Sequence, residues 1–259
     1  MSDTILSVHN VTLSFAGVTA LSDVTFDVRA AEICSLIGPN GAGKSSLLNV
    51  ISGLYRPNAG TIRLLGETAP FVDPLRAAKR GSARTFQNIA LFKKMSVLDN
   101  LLVGRTLKSQ ATAFESAFRI GRYRRDTQIQ TDAARSVSEI LGLTRYNDVE
   151  VGRLPYGLQK RVELGRALAS EPQLLLLDEP LAGMNFDEKA ELARLIVDVN
   201  QRLGTTVLLI EHDMGVVMDI SKHIVVLDYG RKIADGEPEA IRRDPRVVEA
   251  YLGSPHPAN

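Results

Sequence analysis

One segment limits the fold more than any other. The stretch Glu32 to Ile37 reads as a strand and runs into Gly38-Pro39-Asn40-Gly41-Ala42-Gly43-Lys44-Ser45. Ser45 to Ile51 then reads as a helix, stopped by Ser52-Gly53 and Pro57. The eight-residue run fits the P-loop pattern G-x-x-x-x-G-K-[ST], in its strand–loop–helix setting. Glycines let the backbone wrap a phosphate so that several N–H groups point inward, and the helix N-terminus adds favourable potential for an anion. Lys44 would reach the β- and γ-phosphates, and Ser45 would set its hydroxyl on Mg²⁺. The plain alternative is a glycine-rich turn without special purpose. Four matched positions in the right context speak against it.

The rest of the chain supplies a matching α/β pattern. Val11, Leu13 and Phe15 alternate, and Val24, Phe26 and Val28 do so again, which predicts two N-terminal strands. Thr61 to Leu65 reads as a short strand. Strand character returns at Leu174 to Leu177, Thr206 to Ile210 and Ile224 to Leu227, with a helix from Glu188 to Leu203 joining the first two. Strands alternating with helices imply a mostly parallel sheet. Between Lys79 and about Gly165 the pattern turns helical: Leu98, Leu101 and Leu102 fall at helical spacing, and Thr131 to Leu141 is amphipathic. The expected architecture is a P-loop core with a mostly parallel sheet, an N-terminal antiparallel part and an inserted helical subdomain at about 90–165. A C-terminal tail follows from about 236 to 259.

Two further places carry chemistry. Leu174-Leu175-Leu176-Leu177-Asp178-Glu179 is an apolar strand ending in two acids. Adjacent acids at the end of a buried strand carry a Coulombic cost unless a cation or a reaction uses them. Asp178 can hold Mg²⁺ through water, and Glu179 can act as general base on an attacking water. His212 follows the strand Val207 to Ile210, which is expected to neighbour the Asp178 strand and present His212 at the same sheet edge. Gln87, within Thr85-Phe86-Gln87-Asn88, has little weight by itself.

Composition excludes other classes. Lys and Arg total 31 against 30 Asp and Glu, so a net charge of +1 argues against nucleic-acid binding by bulk charge. A single cysteine, Cys34, rules out an intrachain disulfide and reads as a small core residue. The longest run without charged residues, Thr4 to Ser22, is interrupted by polar residues and alternates as a strand, so no membrane span is expected. Met1-Ser2-Asp3 lacks the basic start of a signal peptide, and a cytoplasmic location is expected. Arg119, Arg122, Arg124 and Arg125 cluster in the helical middle. They form either a solvated face or a contact with anionic lipid headgroups.

Taken in order, these residues resemble the ATP-binding subunit of ATP-binding-cassette (ABC) transporters over essentially the whole chain. The order is Phe15, the P-loop, Gln87, Leu154-Pro155-Tyr156-Gly157, Asp178-Glu179 and His212. Ala83-Arg84-Thr85-Phe86-Gln87-Asn88, Leu181-Ala182-Gly183-Met184-Asn185 and the tail Asp244 to Gly253 are similar to the branched-chain amino acid importer branch. That branch also includes carriers of urea, short amides and aromatic acids. The resemblance implies that Phe15 stacks on adenine, with Val18 among the nucleotide-binding residues. It implies that Asn40, Gly41, Ala42, Gly43, Lys44, Ser45 and Ser46 hold phosphates, and that Ser45, Gln87 and Asp178 serve Mg²⁺. Glu179, His212 and Gln87 become the catalytic set. Pro155 and Gly157 would touch ATP bound on a second cassette, either identical or a paralogue. Membrane permease subunits and, indirectly, an external solute-binding protein are the implied further partners, at the cytoplasmic side of the inner membrane.

Two motifs depart from the family pattern. Pro155 stands where a signature serine is usual, and Leu158 replaces a glutamine; proline's fixed φ suits a first helical turn. The Gly157 N–H and the helix N-terminus could still hold the anion. Asn185 stands where an aspartate is usual, keeping an acceptor and losing a charge. Two other readings remain open at this point. One is a soluble ABC ATPase acting on nucleic acid or ribosomes, although such chains usually carry two cassettes or a long coiled coil. The other is a P-loop kinase or GTPase, although no Asn-Lys-x-Asp motif is present.

Overall fold

The computed structural model describes residues 4–87, 89–109 and 123–252. The alternating N-terminal residues form β1 (Thr4–Phe15) and β2 (Val18–Arg29), paired antiparallel. The buried positions of β1 are Leu6 and Val8, then Val11 and Leu13, so the two-residue period slips once. Asn10, at φ 50°, absorbs the slip beside a register shift between Val8 and Val11. The irregularity keeps Leu6, Val8, Val11 and Leu13 on the core face. β4 (Ala59–Leu64) and β5 (Glu67–Ala69) complete a four-stranded sheet in the order β2-β1-β4-β5.

The second sheet contains β3 (Ile33–Ile37), β6 (Ser82–Arg84), β7 (Leu174–Asp178), β8 (Thr206–Ile210), β9 (His223–Asp228) and β10 (Arg231–Gly236). Their order is β10-β9-β3-β8-β7-β6, all parallel pairs except β10 with β9. Helix α1 (Lys44–Ile51) contributes Leu47, Leu48, Val50 and Ile51 to one core that takes residues from both sheets. Alternate residues of β9 serve opposite faces. Val225 and Leu227 enter that core, while Ile224 and Val226 join Val217 of α7 (Met214–Ile220), Ile241 of α8 (Pro238–Arg243) and Val247 of α9 (Pro245–Leu252). Both faces are covered, which explains why β3, β7 and β8 are apolar without alternation.

The chain forms two compact units. The first comprises residues 1–84, 173–181 and 196–259, and the second 85–172 and 182–195. The second unit holds α3 (Val97–Gly104), α4 (Tyr123–Ile140) and α5 (Tyr156–Leu168), with α3 packed on both others. Ser96 and Asp99 form a capping box on α3. α6 (Phe186–Leu203) starts two residues before the expected Glu188. α4 starts eight residues before the expected Thr131, since its first two turns are mostly polar and bury only Asp126, with Ile129 exposed, and so show no apolar period. Periodicity carried no sign of β5, α2 (Pro74–Arg80), β6, β10 or α7 to α9. These are short or edge elements with too few residues to show a period. Arg124 and Arg125 are exposed at the start of α4, while Arg119 and Arg122 lie outside the described residues.

Cys34 is fully buried, as a core residue should be. Beside it, the first residue of β9 is pinned by charge. His223 Nε2 lies 2.5 Å from Asp235 Oδ1 of β10, and His223 Nδ1 lies 3.5 Å from Glu32 Oε1. The bonds to Asp235, Cys34 and Glu32 push the His223 pKa up from 6.5 to about 12. A proton held that tightly stabilises the fold fully below about 6.5 and progressively less as pH climbs toward about 12. The stability advantage of the wild type over His223→Gln is therefore expected to be larger at neutral pH than in strong alkali. Chemical denaturation of both proteins across that range checks this, and a pH-independent difference contradicts it.

Candidate nucleotide site

The carboxyl ends of three adjacent parallel strands lie in register. Leu36 of β3 and Asp178 of β7 both pair with Ile210 of β8. The residues that follow therefore emerge at one sheet edge: Gly38 after β3, Glu179 after β7, and Glu211 and His212 after β8. Open α/β sheets bind ligands at such edges.

After β3 the chain cannot carry side chains freely. A Cβ on Gly38 would meet the Leu227 carbonyl oxygen at 2.1 Å, whereas a Cβ at Gly41 meets nothing within 4 Å, so its φ of +81° is what calls for glycine. The Gly230 N–H donates to the Ala42 carbonyl at 3.0 Å, tying the loop to the β9–β10 turn. Asn40, Gly41, Ala42 and Gly43 form the loop; Lys44, Ser45 and Ser46 open α1. Gly43 is the N-cap at φ 99° and α1 has no side-chain cap, which leaves its first N–H groups for an anion. By contrast, Asp73 caps α2 and Asp213 caps α7. The Lys44 ammonium donates to the Gly38 and Pro39 carbonyls at 2.7 and 2.8 Å. Burial pulls its pKa down, against the opposing field of Glu179 and Asp178.

The two acids after β7 have separate partners. Asp178 Oδ2 accepts from Arg84 Nη2 at 3.0 Å, with both side chains nearly buried. Arg84 Nη1 also donates to Asn49 Oδ1 at 2.8 Å and Ser52 Oγ at 2.6 Å, at the end of α1. The cation that relieves Asp178 is thus in part the protein's own. Glu179, at the unusual φ of 49°, points its Oε1 at His212 Nε2, 2.6 Å away, while its N–H donates to the Ile210 carbonyl. Behind them Glu211 is buried. Its Oε1 accepts from the Leu181 N–H at 2.8 Å and its Oε2 from the His212 N–H at 3.1 Å. Burial pushes the Glu211 carboxyl up despite those two donors.

Sequence reasoning did not single out Arg84, Glu211 or Tyr251 for the site. The Tyr251 phenol, its pKa raised by burial, is hydrogen-bonded to the Gly38 backbone. Only the position of Glu211 beside His212 could have signalled a role. Phe15 ends β1 and Val18 begins β2, and both are exposed.

Gln87, Pro155 and Gly157 belong to the second unit. Gln87 is exposed, and its carbonyl accepts from Lys160 Nζ at 3.2 Å. Lys160 also pairs with Glu163 at 3.3 Å in a buried ion pair on α5. Pro155 is the N-cap of α5 rather than a residue of its first turn, at ψ 152° and without a side-chain cap. Gly157 is buried against Glu188, whose Oε1 lies 2.7 Å from where a Cβ would stand. Asn185 uses its acceptor to cap α6. Its Oδ1 takes the Glu188 N–H at 3.0 Å, and Glu188 Oε2 takes the Asn185 N–H at 3.1 Å.

A divalent cation fits the first unit's donors. The Ser45 hydroxyl and the Asp178 carboxylate are hard oxygen ligands that suit Mg²⁺. Among the described residues, no group of three or more His, Cys, Asp or Glu could hold a metal. An ion here would therefore share its coordination with phosphate oxygens and water.

Comparison with known proteins identifies the family. Residues 21–182 match the ABC transporter family model, and residues 231–257 match that of the branched-chain amino acid ATP-binding cassette transporter. The chain is 41% identical over 253 residues to the high-affinity branched-chain amino acid transport ATP-binding protein BraF of Pseudomonas aeruginosa, covering 98% of this chain and 99% of that protein. It is 40% identical to LivG of Escherichia coli, described in the same words, with the same coverage. A crystal structure of an ABC transporter cassette in its ADP conformation superposes with a TM-score of 0.84 at 31% identity, covering 97% of this chain and 99% of that one. A nucleotide-free ABC cassette does so at 0.83 and 30%, covering 97% and 100%.

The Arg84–Asp178 pair generates a stability test. Removing one member of a buried ion pair leaves an uncompensated charge and costs about 3–5 kcal/mol. Arg84→Met is expected to lose stability on that scale, and adding Asp178→Asn should recover part of it. Denaturant midpoints for the two singles and the double check the coupling.

Proposed function

The chain belongs to the ATP-binding subunits of ABC transporters, in the branched-chain amino acid branch, and on that footing we propose that it powers import of branched-chain amino acids or related small solutes through a membrane permease. It is an ATPase. The observation that carries the site assignment is the common edge of β3, β7 and β8. There Lys44 opens α1 and Asp178 is held by Arg84, while Glu179 and His212 are in contact at 2.6 Å.

Lys44 and the uncapped N-terminus of α1 bind the β- and γ-phosphates. Ser45, Asp178 and Gln87 serve Mg²⁺, which when bound offsets phosphate charge. Glu179 takes the proton of the attacking water, and His212 fixes the orientation of that carboxylate. Glu211 holds the His212 backbone in turn. The N-terminus of α5, with Pro155 as its N-cap and Gly157 in its first turn, meets the nucleotide of a second cassette, a copy or a paralogue. Pro155 offers no donor, so the contact rests on backbone N–H groups and the helix dipole.

Closure of the paired cassettes moves the permease subunits, with Gln87 and residues 90–100 as the coupling segment. A solute-binding protein on the far side delivers the solute. No helix among the described residues is long and apolar enough to cross a membrane, which fits a peripheral subunit held at the cytoplasmic face of the inner membrane by its permease. The nucleic-acid reading finds no support in the family matched or in the relatives.

Two variants separate binding from chemistry. Lys44→Ala is expected to lose nucleotide affinity while remaining folded. Glu179→Gln should keep affinity and lose hydrolysis by roughly 10²–10⁴-fold, the scale of a general base. It should also accumulate as an ATP-bound cassette pair. Nucleotide titration, ATP turnover and ATP-driven uptake in vesicles holding the assembled transporter read these effects. Normal turnover in Glu179→Gln would refute the assignment.

A further inference from the structure

A second aromatic ring stands beside Phe15, and no role assigned so far uses it. Phe15 ends β1, and Ala16 and Gly17 turn the chain with φ of 45° and 87°. Tyr55 comes from the loop after α1. The Leu54 and Tyr55 N–H groups both donate to the Asn49 carbonyl, at 2.8 and 3.1 Å, so the loop is anchored to the end of the helix that opens with Lys44. The same loop is tied to β1: the Asn58 N–H donates to the Thr12 carbonyl at 2.8 Å, and Asn58 Oδ1 accepts from the Ser14 N–H at 2.7 Å. The Phe15 and Tyr55 rings meet edge to face, with centroids 5.1 Å apart and planes at 74°. Phe15 is 45% exposed and Tyr55 37%, so the pair is not part of a sealed core.

We infer that Tyr55 is a positioning residue for adenine, acting as a brace that holds the Phe15 ring in the plane on which the base stacks. The inference rests on the adenine-stacking reading of Phe15. A base lying parallel to Phe15 stands at about 74° to Tyr55 and cannot stack on both rings. One ring therefore takes the base and the other fixes its partner. Phe15 sits on a strand end next to a tight turn, where an unsupported side chain would have to be ordered when nucleotide binds. Fixing it beforehand removes that entropic cost. The brace also gives α1 two tasks: its first turn presents Lys44 to phosphate, and its last turn sets the loop that carries Tyr55. Phosphate and base recognition then share one rigid element.

The test uses Tyr55→Leu, Tyr55→Phe and Phe15→Leu, with calorimetric titration of ATP and of inorganic tripolyphosphate, each with Mg²⁺. The brace predicts that Tyr55→Leu weakens ATP by about 2- to 12-fold, the worth of an aromatic pair. Tripolyphosphate affinity should not change, and Tyr55→Phe should bind ATP as the wild type does. Phe15→Leu should weaken ATP at least as much as Tyr55→Leu. Several results overturn the inference: wild-type ATP affinity in Tyr55→Leu while Phe15→Leu is weakened, equal loss for both ligands, a loss in Tyr55→Phe, or a larger loss in Tyr55→Leu than in Phe15→Leu. If Phe15→Leu binds ATP normally, the stacking role of Phe15 itself fails and the brace with it. An unchanged ATP affinity in Lys44→Ala instead removes the phosphate assignment.

Discussion

The parallel register of β3, β8 and β7 underlies everything at the nucleotide edge. Ile210 pairs with Leu36 on one side and Asp178 on the other, so three chain segments far apart in sequence leave the sheet at the same level. A slip of one residue in either pairing would turn Asp178 or His212 to the opposite face. The strands resist such a slip because both of their faces are buried. Every residue of β3, β7 and β8 is enclosed, and the row is fixed by packing above and below it.

That edge concentrates acid, and the fold manages it by giving each carboxylate a different neighbour. Asp178 is held by a nearly buried guanidinium that also grips α1. Glu179 faces an imidazole. Glu211 is buried, its carboxyl pushed up, and anchors the backbone on both sides of the site through Leu181 and His212. The proposed roles of these three acids as metal ligand, base and scaffold rest on that difference in environment rather than on residue type. His223, Asp235 and Glu32 show the same economy away from the nucleotide. There one protonated imidazole joins the starts of β9 and β3 to β10.

The two departures from the family pattern take on structural meaning in the second unit. Asn185 does not stand idle for want of a charge, because its acceptor and the Glu188 carboxylate close a capping box on α6. Glu188 in turn packs against Gly157 at the start of α5. Pro155 occupies the N-cap, where an extended ψ is required and a missing N–H is harmless.

The P-loop, the strand ending in Asp178-Glu179 and the neighbouring strand before His212 were all legible in the residues alone. Each is a contiguous run whose pattern survives without knowledge of its surroundings. The placement of β8 beside β7 was legible too, since βα crossovers leave few alternatives. Relations between distant residues were settled only by the folded chain. Arg84 is an ordinary arginine until β6 pairs with β7 and brings it to Asp178. Tyr55 is a loop tyrosine until the loop folds back on β1. Glu32, Cys34, His223 and Asp235 are scattered until three strands align. The physical reason is that periodicity is written locally along the chain, whereas the partner of a charge or a ring is set by sheet pairing between segments up to about two hundred residues apart.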